Sequence, residues 1–387
     1  MNSAAPRIVI VGASLAGLTL ALACARRGVA VHVLERAARR LHGGDSLSVD
    51  LNALAAATGH DPRQPPTLPV VPAYRDRHLT TWPALYAWLR SHALATPGIT
   101  LDEGCNVTAV RDYGDHVAMA IDGCPALRVD AAICADGYHS LVRRSVAPQQ
   151  PLARYAGYTV WRGLVEEKAL AQPLQWPSNG GLWIKLVRGY RLVAAVLPGR
   201  DGKLEVGNRQ ITFAWFDAHR TELLRHSGRL TEDGGLVGSL AAGAIEPSVR
   251  AELLALVPQL WPATWAEAVS AGLRSATALS GAPIAEYRPE RLANGRLALV
   301  GDAAHVVTPM TGSGYATSVD DAIVLARLLA EAAADAPISA VLARYQAVRL
   351  PYVRGLVAHS QRLSAEYLRH ALTGGHPARF DTAGLGE

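Results

Sequence analysis

The chain opens on an apolar run, Ile8 to Val11, then a glycine-punctuated stretch, then apolar positions at helical spacing to Cys24 and a second apolar run ending at Glu35. A β-branched strand, a tight turn, an amphipathic helix and a second strand make a βαβ unit. A basic, glycine-bearing loop is expected from Ala37 to Ser46, a short helix near Leu51–Thr58 and a proline-rich loop from Asp61 to Pro72. Helical periodicity returns at Pro83–Ala95. Alternation at Cys105–Asp112, His116–Ile121 and Leu127–Cys134 predicts strands that return to the first sheet.

From about Arg154 the texture changes. Aromatic-rich alternating stretches, YAGYTVWRGLVEE, GLWIKLVRGYRLVAAVLPG and RQITFAWFDA, are separated by Gly and Pro turns and predict an antiparallel sheet. Helical patterns run from Pro247 to about Gly272, and a strand at Arg296–Val300 leads into GDAAHVVTPMTGSG. Two long helical patterns follow, Ser313–Ala334 and Ser339–Leu372, before a Gly- and Pro-containing tail. The expected fold class is α/β with an α+β insert. A Rossmann-like domain is built from discontinuous segments 1–153 and 276–334, an antiparallel-sheet domain spans 154–275, and a C-terminal helix and tail occupy 335–387.

Composition narrows the function classes. The 387 residues carry 38 basic and 33 acidic side chains, a net charge of +5. Only Lys168, Lys185 and Lys203 are lysines, so the other 35 basic residues are arginines, mixed with acidic residues along the whole chain. A nucleic-acid binder would gather them on one stripe, so no nucleic-acid partner is expected. No apolar run approaches the roughly 18 residues of a membrane helix, so no membrane partner is expected either. Cys24, Cys105, Cys124 and Cys134 include no C-x-x-C pair and no histidine at zinc spacing. Free thiols in the cytoplasm, with no metal, are the simplest reading. Arg7 and the small, apolar run to Cys24 also outline a secretory signal, but Gly12 and Gly17 at motif spacing favour the βαβ turn.

Three motifs carry chemistry. In Gly12-x-Ser14-x-x-Gly17, the first glycine allows the tight turn, a small residue at 14 lets the backbone approach a pyrophosphate, and Gly17 lets helix and strand pack closely. The helix N-terminus beyond it offers N–H groups to phosphates. Glu35, 18 residues after Gly17, would accept hydrogen bonds from a ribose and repel a 2′-phosphate, which favours FAD or NAD over NADP as the resident dinucleotide. The second motif, Asp136-Gly137-x-x-Ser140-x-x-Arg143, follows a strand end, where open α/β sheets bind ligands and where ordinary turns also occur. The third, Gly301-Asp302-Ala303-Ala304-His305 with Pro309 and Gly312-Ser313-Gly314, places a carboxylate after a strand and a helix N-terminus after that. A carboxylate there suits a sugar-alcohol chain, and the helix dipole suits a ring that becomes anionic on reduction. His305 alone reads better as a core histidine than as a ligand.

In this order and at these separations, the motifs resemble the single-component FAD-dependent aromatic hydroxylases with the p-hydroxybenzoate hydroxylase fold, from Arg7 to about Arg349. Tyr155-Ala156-Gly157-Tyr158, Trp161-Arg162-Gly163, RQITFAWF and TTWPALYAWL are most similar to the 2,6-dihydroxypyridine 3-hydroxylase and urate-hydroxylase branch. The resemblance implies FAD, NADH or NADPH as co-substrate, O2, and hydroxylation of a small electron-rich aromatic or N-heterocyclic substrate through a C4a-hydroperoxyflavin. It implies that Gly12, Ser14, Leu15, Ala16 and Gly17 cradle the pyrophosphate, that Glu35 takes the ribose and that Arg36 flanks the adenosine. Val107 would touch the adenine, Asp136 would hold the cofactor region and help the nicotinamide donor engage, and Gly301 and Asp302 would meet the ribityl chain. Pro309, Gly312, Ser313 and Gly314 would lie beside the isoalloxazine. The chain departs from the family at Ser14 (usually Gly), Ser313 (Gln), Ala316 (Asn) and Trp82 (Arg). A homodimer is the expected oligomer by base rate.

Substrate activation has no obligatory signature. Arg191 could pair with an anionic heterocycle or be a solvated hairpin arginine. Tyr190, His219 and Arg162 are further candidates, because period-two alternation does not say which face of a sheet meets the flavin. Trp161, Trp183, Phe213 and Trp215 could stack on a substrate or form core. A halogenase is disfavoured, since the chain has no W-x-W-x-I-P segment. A flavin dehydrogenase that never inserts oxygen, and a non-catalytic flavin-binding protein, share these motifs. Oxygen uptake separates the first from a hydroxylase, and NAD(P)H turnover excludes the second.

Overall fold

A computed structural model describes residues 7–38, 46–74, 76–177, 181–333 and 336–373, so most of the predicted basic loop and the tail lie outside the described residues. The chain forms two compact units, one of residues up to 70 with 75–154 and 285–360, the other of 71–74, 155–284 and 361 onward.

The first unit is built on a six-stranded sheet in the order Ala293–Asn294, Leu297–Leu299, Ala131–Cys134, Ile8–Val11, Val31–Glu35, Ile99–Glu103. Every pairing but that of the short edge strand is parallel, and Ile8 lies opposite both Ala131 and Val31. Ile8–Val11 and Ala131–Cys134 are buried at every residue, as strands covered on both faces must be. The predicted βαβ unit is present, with the helix at Leu15–Ala25. Helix Leu51–Thr58 starts on Asp50, whose carboxylate accepts the Ala53 N–H at 2.9 Å, and helix Trp82–Ala95 starts on Thr81, whose hydroxyl accepts that of Ala84.

The strands around 105–129 differ from expectation. Val107–Asp112, Val117–Ile121 and Cys124–Val129 form their own antiparallel three-stranded sheet, and only Ala131–Cys134 joins the parallel one. Alternating sequences bury one face, whereas a central parallel strand must be apolar on both; only Ala-Ala-Ile-Cys meets that requirement. Two stretches that carry no clear pattern in the sequence, Ser46–Asp50 and Arg77–Thr81, form an antiparallel pair.

The second unit holds a five-stranded sheet ordered Leu182–Val187, Tyr190–Leu197, Gln210–Asp217, Arg154–Glu166, Leu279–Glu286. Its last strand, Leu279–Glu286, comes after the helices that follow Pro247. The helical patterns after Pro247 form two helices, Pro247–Leu260 and Ala263–Arg274, separated where Pro262 forces extended backbone on Trp261. The Phe213 ring is packed between Gly163 and Gly272, where an added Cβ would come within 2.3 and 2.5 Å of it. The last helix, Ile338–Thr373, belongs to the first unit as far as Ser360 and to the second from Gln361.

Candidate flavin and substrate sites

The three motifs of the first unit come together at the carboxyl ends of its parallel strands. Gly12 has φ +100°, and a Cβ there would lie 2.7 Å from the Ala135 carbonyl oxygen, so the turn touches the end of the neighbouring strand and only glycine fits. A Cβ at Gly17 would lie within 1.9 Å of the Gly12 carbonyl oxygen. Ser14 caps helix Leu15–Ala25 in extended conformation without a side-chain bond to the first turn, so the amides of Leu15, Ala16 and Gly17 point out of the helix with no intrahelical acceptor.

Glu35 is buried beneath this turn. Its Oε2 accepts the Ala13 N–H at 2.8 Å and its Oε1 that of Ala37 at 3.0 Å, leaving each oxygen a second lone pair. Arg36 beside it is exposed. The Glu35 carbonyl accepts the Cys105 N–H at 2.8 Å, which brings the start of strand Val107–Asp112 towards the same edge.

Asp136 follows strand Ala131–Cys134. Its Oδ2 accepts the Leu141 N–H at 2.8 Å, while Oδ1 is buried with no hydrogen-bond partner among the described residues. Burial pushes its pKa up. Arg143, seven residues on, is 0% exposed and donates from Nε to the Ala303 carbonyl at 2.9 Å, from Nη2 to that of Asp302 at 2.7 Å and from Nη1 to that of Tyr138 at 2.8 Å. Its guanidinium also lies 4.2 Å from the centre of the Tyr287 ring. Arg143 therefore ties the second motif to the third.

Gly301 has φ +59°, and a Cβ there would lie 2.6 Å from the Ala16 side chain, so the third loop touches the first. Asp302 and Pro309 are exposed. His305 is core, as expected, with Nε2 2.7 Å from Asp321 Oδ2. Asp321 also accepts the Gly301 N–H at 3.1 Å and Arg349 Nε at 2.8 Å. Burial alone would push the Asp321 carboxyl up, but His305 and Arg349 outweigh it and hold it below the usual range. Gly312 takes φ +59°, the Ser313 hydroxyl turns back to the Thr311 carbonyl at 3.0 Å, and helix Gly314–Ala330 starts with no side-chain cap. A second open helix N-terminus thus joins the first, and Tyr315 Oη meets Thr19 Oγ1 at 2.9 Å where these helices pack.

The sheet of the second unit sorts the remaining candidates by face. Trp161, Phe213 and Trp215 point to the side of helices Pro247–Leu260 and Ala263–Arg274, with Trp215 6.0 Å and Phe213 6.2 Å from Trp261. Trp161, Phe213 and Trp215 are core, and Trp183, 5.7 Å from Trp261, is half-buried beside them. Tyr190 is on the same side, its ring 5.7 Å from Trp215 and 6.2 Å from His219. Arg191, directly opposite Phe216, is on the other face, which Arg162 opposite Ala214 shares. Arg191 is thus not brought together with Tyr190 and His219, because consecutive residues of a strand point to opposite faces.

Comparison with known proteins finds three partial family matches. Residues 10–61 match an NAD(P)-binding Rossmann-like domain, 155–274 an FAD-binding-domain-like family and 263–360 an FAD binding domain. The chain is 28% identical to the aurachin C monooxygenase/isomerase of Stigmatella aurantiaca over 92% of its length and 88% of that protein. It is 31% identical to the FAD-dependent urate hydroxylase of Klebsiella oxytoca over 67% of its length, an alignment that spans 58% of that protein. The solved 2,6-dihydroxypyridine-3-hydroxylase of Arthrobacter nicotinovorans superposes with a TM-score of 0.77 at 20% identity, over 99% of this chain and 96% of that one. The chain belongs to the FAD-dependent monooxygenases.

The flavin monooxygenase fold reading is borne out, and the residues present fit FAD. A glycine turn in backbone contact with the next strand, two uncapped helix starts and a buried carboxylate oxygen with no partner form a polar site that a dinucleotide can satisfy. Sequence reasoning assigned no role to Arg143, Asp321 or Arg349, which hold the loops. Asp321 left a signal: it stands at helical spacing with Thr317 and Leu325 on the buried stripe of its helix, where a carboxylate needs partners.

Proposed function

We propose that this monooxygenase hydroxylates a small, electron-rich aromatic or nitrogen-heterocyclic ring, using FAD, NADH or NADPH, and O2. The observation that carries the reading is the convergence of three cofactor loops on one sheet edge, cross-linked by Arg143, with the Asp136 Oδ1 left for a ligand. Relatives named for urate and for 2,6-dihydroxypyridine support the heterocyclic class.

Gly12, Ser14, Leu15, Ala16 and Gly17 would hold the pyrophosphate with backbone N–H groups, and the free lone pairs of Glu35 the ribose. Arg36 and Val107 would flank the adenosine, and Asp136 the cofactor region. Gly301 and Asp302 would meet the ribityl chain, and Pro309, Gly312, Ser313 and Gly314 the flavin ring. When bound, the flavin supplies the hydride acceptor and the oxygen-activating centre. This chain's own contribution is orientation, exclusion of water and a charge that favours the anionic form of the ring. We assign that last task to Arg191, on the sheet face opposite Tyr190, whose ring with His219 lies on the side of the helix layer. The four cysteines are free thiols, which supports a reducing, cytoplasmic setting, and light scattering would check the expected homodimer.

The test follows NADH and NADPH oxidation with parallel oxygen uptake and peroxide detection, by FAD-loaded protein against hydroxypyridines, purines, indoles and phenols. One ring class is expected to stimulate oxygen uptake with little peroxide. Turnover of NAD(P)H without oxygen consumption would replace the hydroxylase by a dehydrogenase, and no turnover despite bound FAD would make the protein non-catalytic.

A further inference from the structure

The helix side of the second unit's sheet carries an unbroken line of oxidisable rings. Between ring centres, Trp176 lies 5.0 Å from Trp265, Trp265 6.2 Å from Trp183, Trp183 5.7 Å from Trp261, Trp261 6.0 Å from Trp215, and Trp215 5.7 Å from Tyr190. Trp265, Trp261 and Trp215 are buried, whereas Trp176, Trp183 and, at the far end, Tyr190 are half-buried. The ring of His219 lies 6.2 Å beyond Tyr190. The line thus runs from one partly exposed end, through the core, to another, and stays within one unit.

Packing alone does not ask for tryptophan at these places. The sequence holds eight tryptophans against three phenylalanines, and five of the eight stand in this line. The indole Nε1 atoms of Trp176, Trp215 and Trp261 are buried with no hydrogen-bond partner among the described residues. Phenylalanine or leucine would fill the core without that cost. What indole and phenol offer instead is ready loss of one electron, and electrons pass rapidly between rings in contact. An oxidised indole is trapped when its Nε1 proton leaves to an acceptor; without an acceptor it keeps the proton and draws an electron from the next ring. Trp161, across the sheet from Trp215, marks the contrast, since its Nε1 donates to Asp217 Oδ2 at 3.1 Å. A phenol releases its proton as soon as it is oxidised, so the half-buried Tyr190 is where an oxidising equivalent comes to rest.

We propose that the line from Trp176 through Trp265, Trp183, Trp261 and Trp215 to Tyr190 is a one-electron relay, which carries oxidising equivalents out of the second unit's core in a protein that activates oxygen. A one-electron oxidant, such as a radical derived from leaked peroxide, takes an electron from an outer indole and is itself reduced. The oxidised site passes along the line until Tyr190 gives up one electron and, to water or His219, its phenol proton. A soluble thiol or ascorbate restores the phenol by donating a hydrogen atom, and the tryptophans are left unmodified. The relay needs no particular ring substrate, so its failure would leave the hydroxylase reading intact.

The experiment generates azide radicals, one-electron oxidants that attack indole ahead of phenol, by pulse radiolysis of FAD-loaded protein, and follows indolyl and phenoxyl absorbance. In the wild type the indolyl band is expected to decay as the phenoxyl band rises, at a rate independent of protein concentration. Tyr190→Phe is expected to remove most of the phenoxyl product and leave the indolyl radical long-lived. Trp261→Phe keeps a ring in the core but interrupts the line, and is expected to abolish the intramolecular phase. Should Trp261→Phe fail to fold, Tyr190→Phe, at a half-buried position, carries the test. Peptide mass spectrometry after repeated radical exposure with glutathione present gives a second readout: oxidised indole at Trp215 and Trp261 is expected to accumulate in Tyr190→Phe and not in the wild type. Aromatics that serve only as core predict a phenoxyl yield unchanged by either variant and equal indole oxidation in all three proteins. Either of those results, or a decay that scales with protein concentration, overturns the proposal.

Discussion

Replacing Arg143 by Met tests the reading that this residue joins the cofactor loops. Methionine fills much of the same volume and carries no charge, so no unpaired cation is left behind. Four carbonyls, of Ala303, Asp302, Tyr138 and Pro151, lose donors at 2.9, 2.7, 2.8 and 3.3 Å. Each deprived buried acceptor costs about 1–3 kcal/mol, and the recovered desolvation of the guanidinium offsets part of the sum, leaving a net loss of about 2–4 kcal/mol. At about 2.1 cal/mol/K per residue, a chain of 387 residues unfolds with about 0.8 kcal/mol/K, so the thermal midpoint should fall by about 3–5 °C. FAD binding should suffer more than stability, because the loops of Asp136 and Asp302 lose their shared tether. A 10- to 100-fold rise in the FAD dissociation constant, read by flavin fluorescence, is the expected result. Arg143→Lys should restore little, since an ammonium cannot span four divergent carbonyls. A Met variant within about 1 °C of wild type and with unchanged FAD affinity would refute the reasoning.

Three further outcomes are expected. Gly17→Ala, whose Cβ would overlap the Gly12 carbonyl oxygen, should open the turn and abolish stable FAD retention on gel filtration, and retention at wild-type stoichiometry would contradict this. Asp136 has a raised pKa in the folded state, so it favours folding below the carboxylate's unfolded value and opposes it as pH rises. Asp136→Asn should therefore raise the midpoint of FAD-free protein at pH 7–8 while weakening FAD, with the midpoint difference fading below about pH 4; a difference independent of pH would exclude this account. Asp321, held below its usual range by His305 and Arg349, contributes the reverse, stability that is present above the unfolded value and lost as pH falls through the lower folded one. Asp321→Asn should destabilise by about 3–5 kcal/mol in urea titrations at pH 7, because it leaves Arg349 buried and underpaired.

The alternation and glycine spacing of the chain by themselves determined the βαβ opening, the antiparallel insert and the cofactor class. Gly12, Gly17 and Glu35 are readable because their roles depend on backbone conformation and short-range spacing, which a linear sequence preserves. Arg143 and Asp321 are not readable in the same way. Their partners stand 160 and 20 residues away, at Ala303 and Gly301, and nothing local distinguishes a clamp from a solvated charge. The same limit applies to Tyr190 and Arg191, equal candidates as neighbours in sequence and opposite in the sheet, since period two separates the faces without naming them. The C-terminal helix read only as helix; that its last turns pack on the second sheet, Leu368 beside Gly157 and Ala371 beside Gly189, was decided by tertiary packing. Local spacing determined where a dinucleotide would lie, and long-range packing alone decided which charges tie the surrounding loops together.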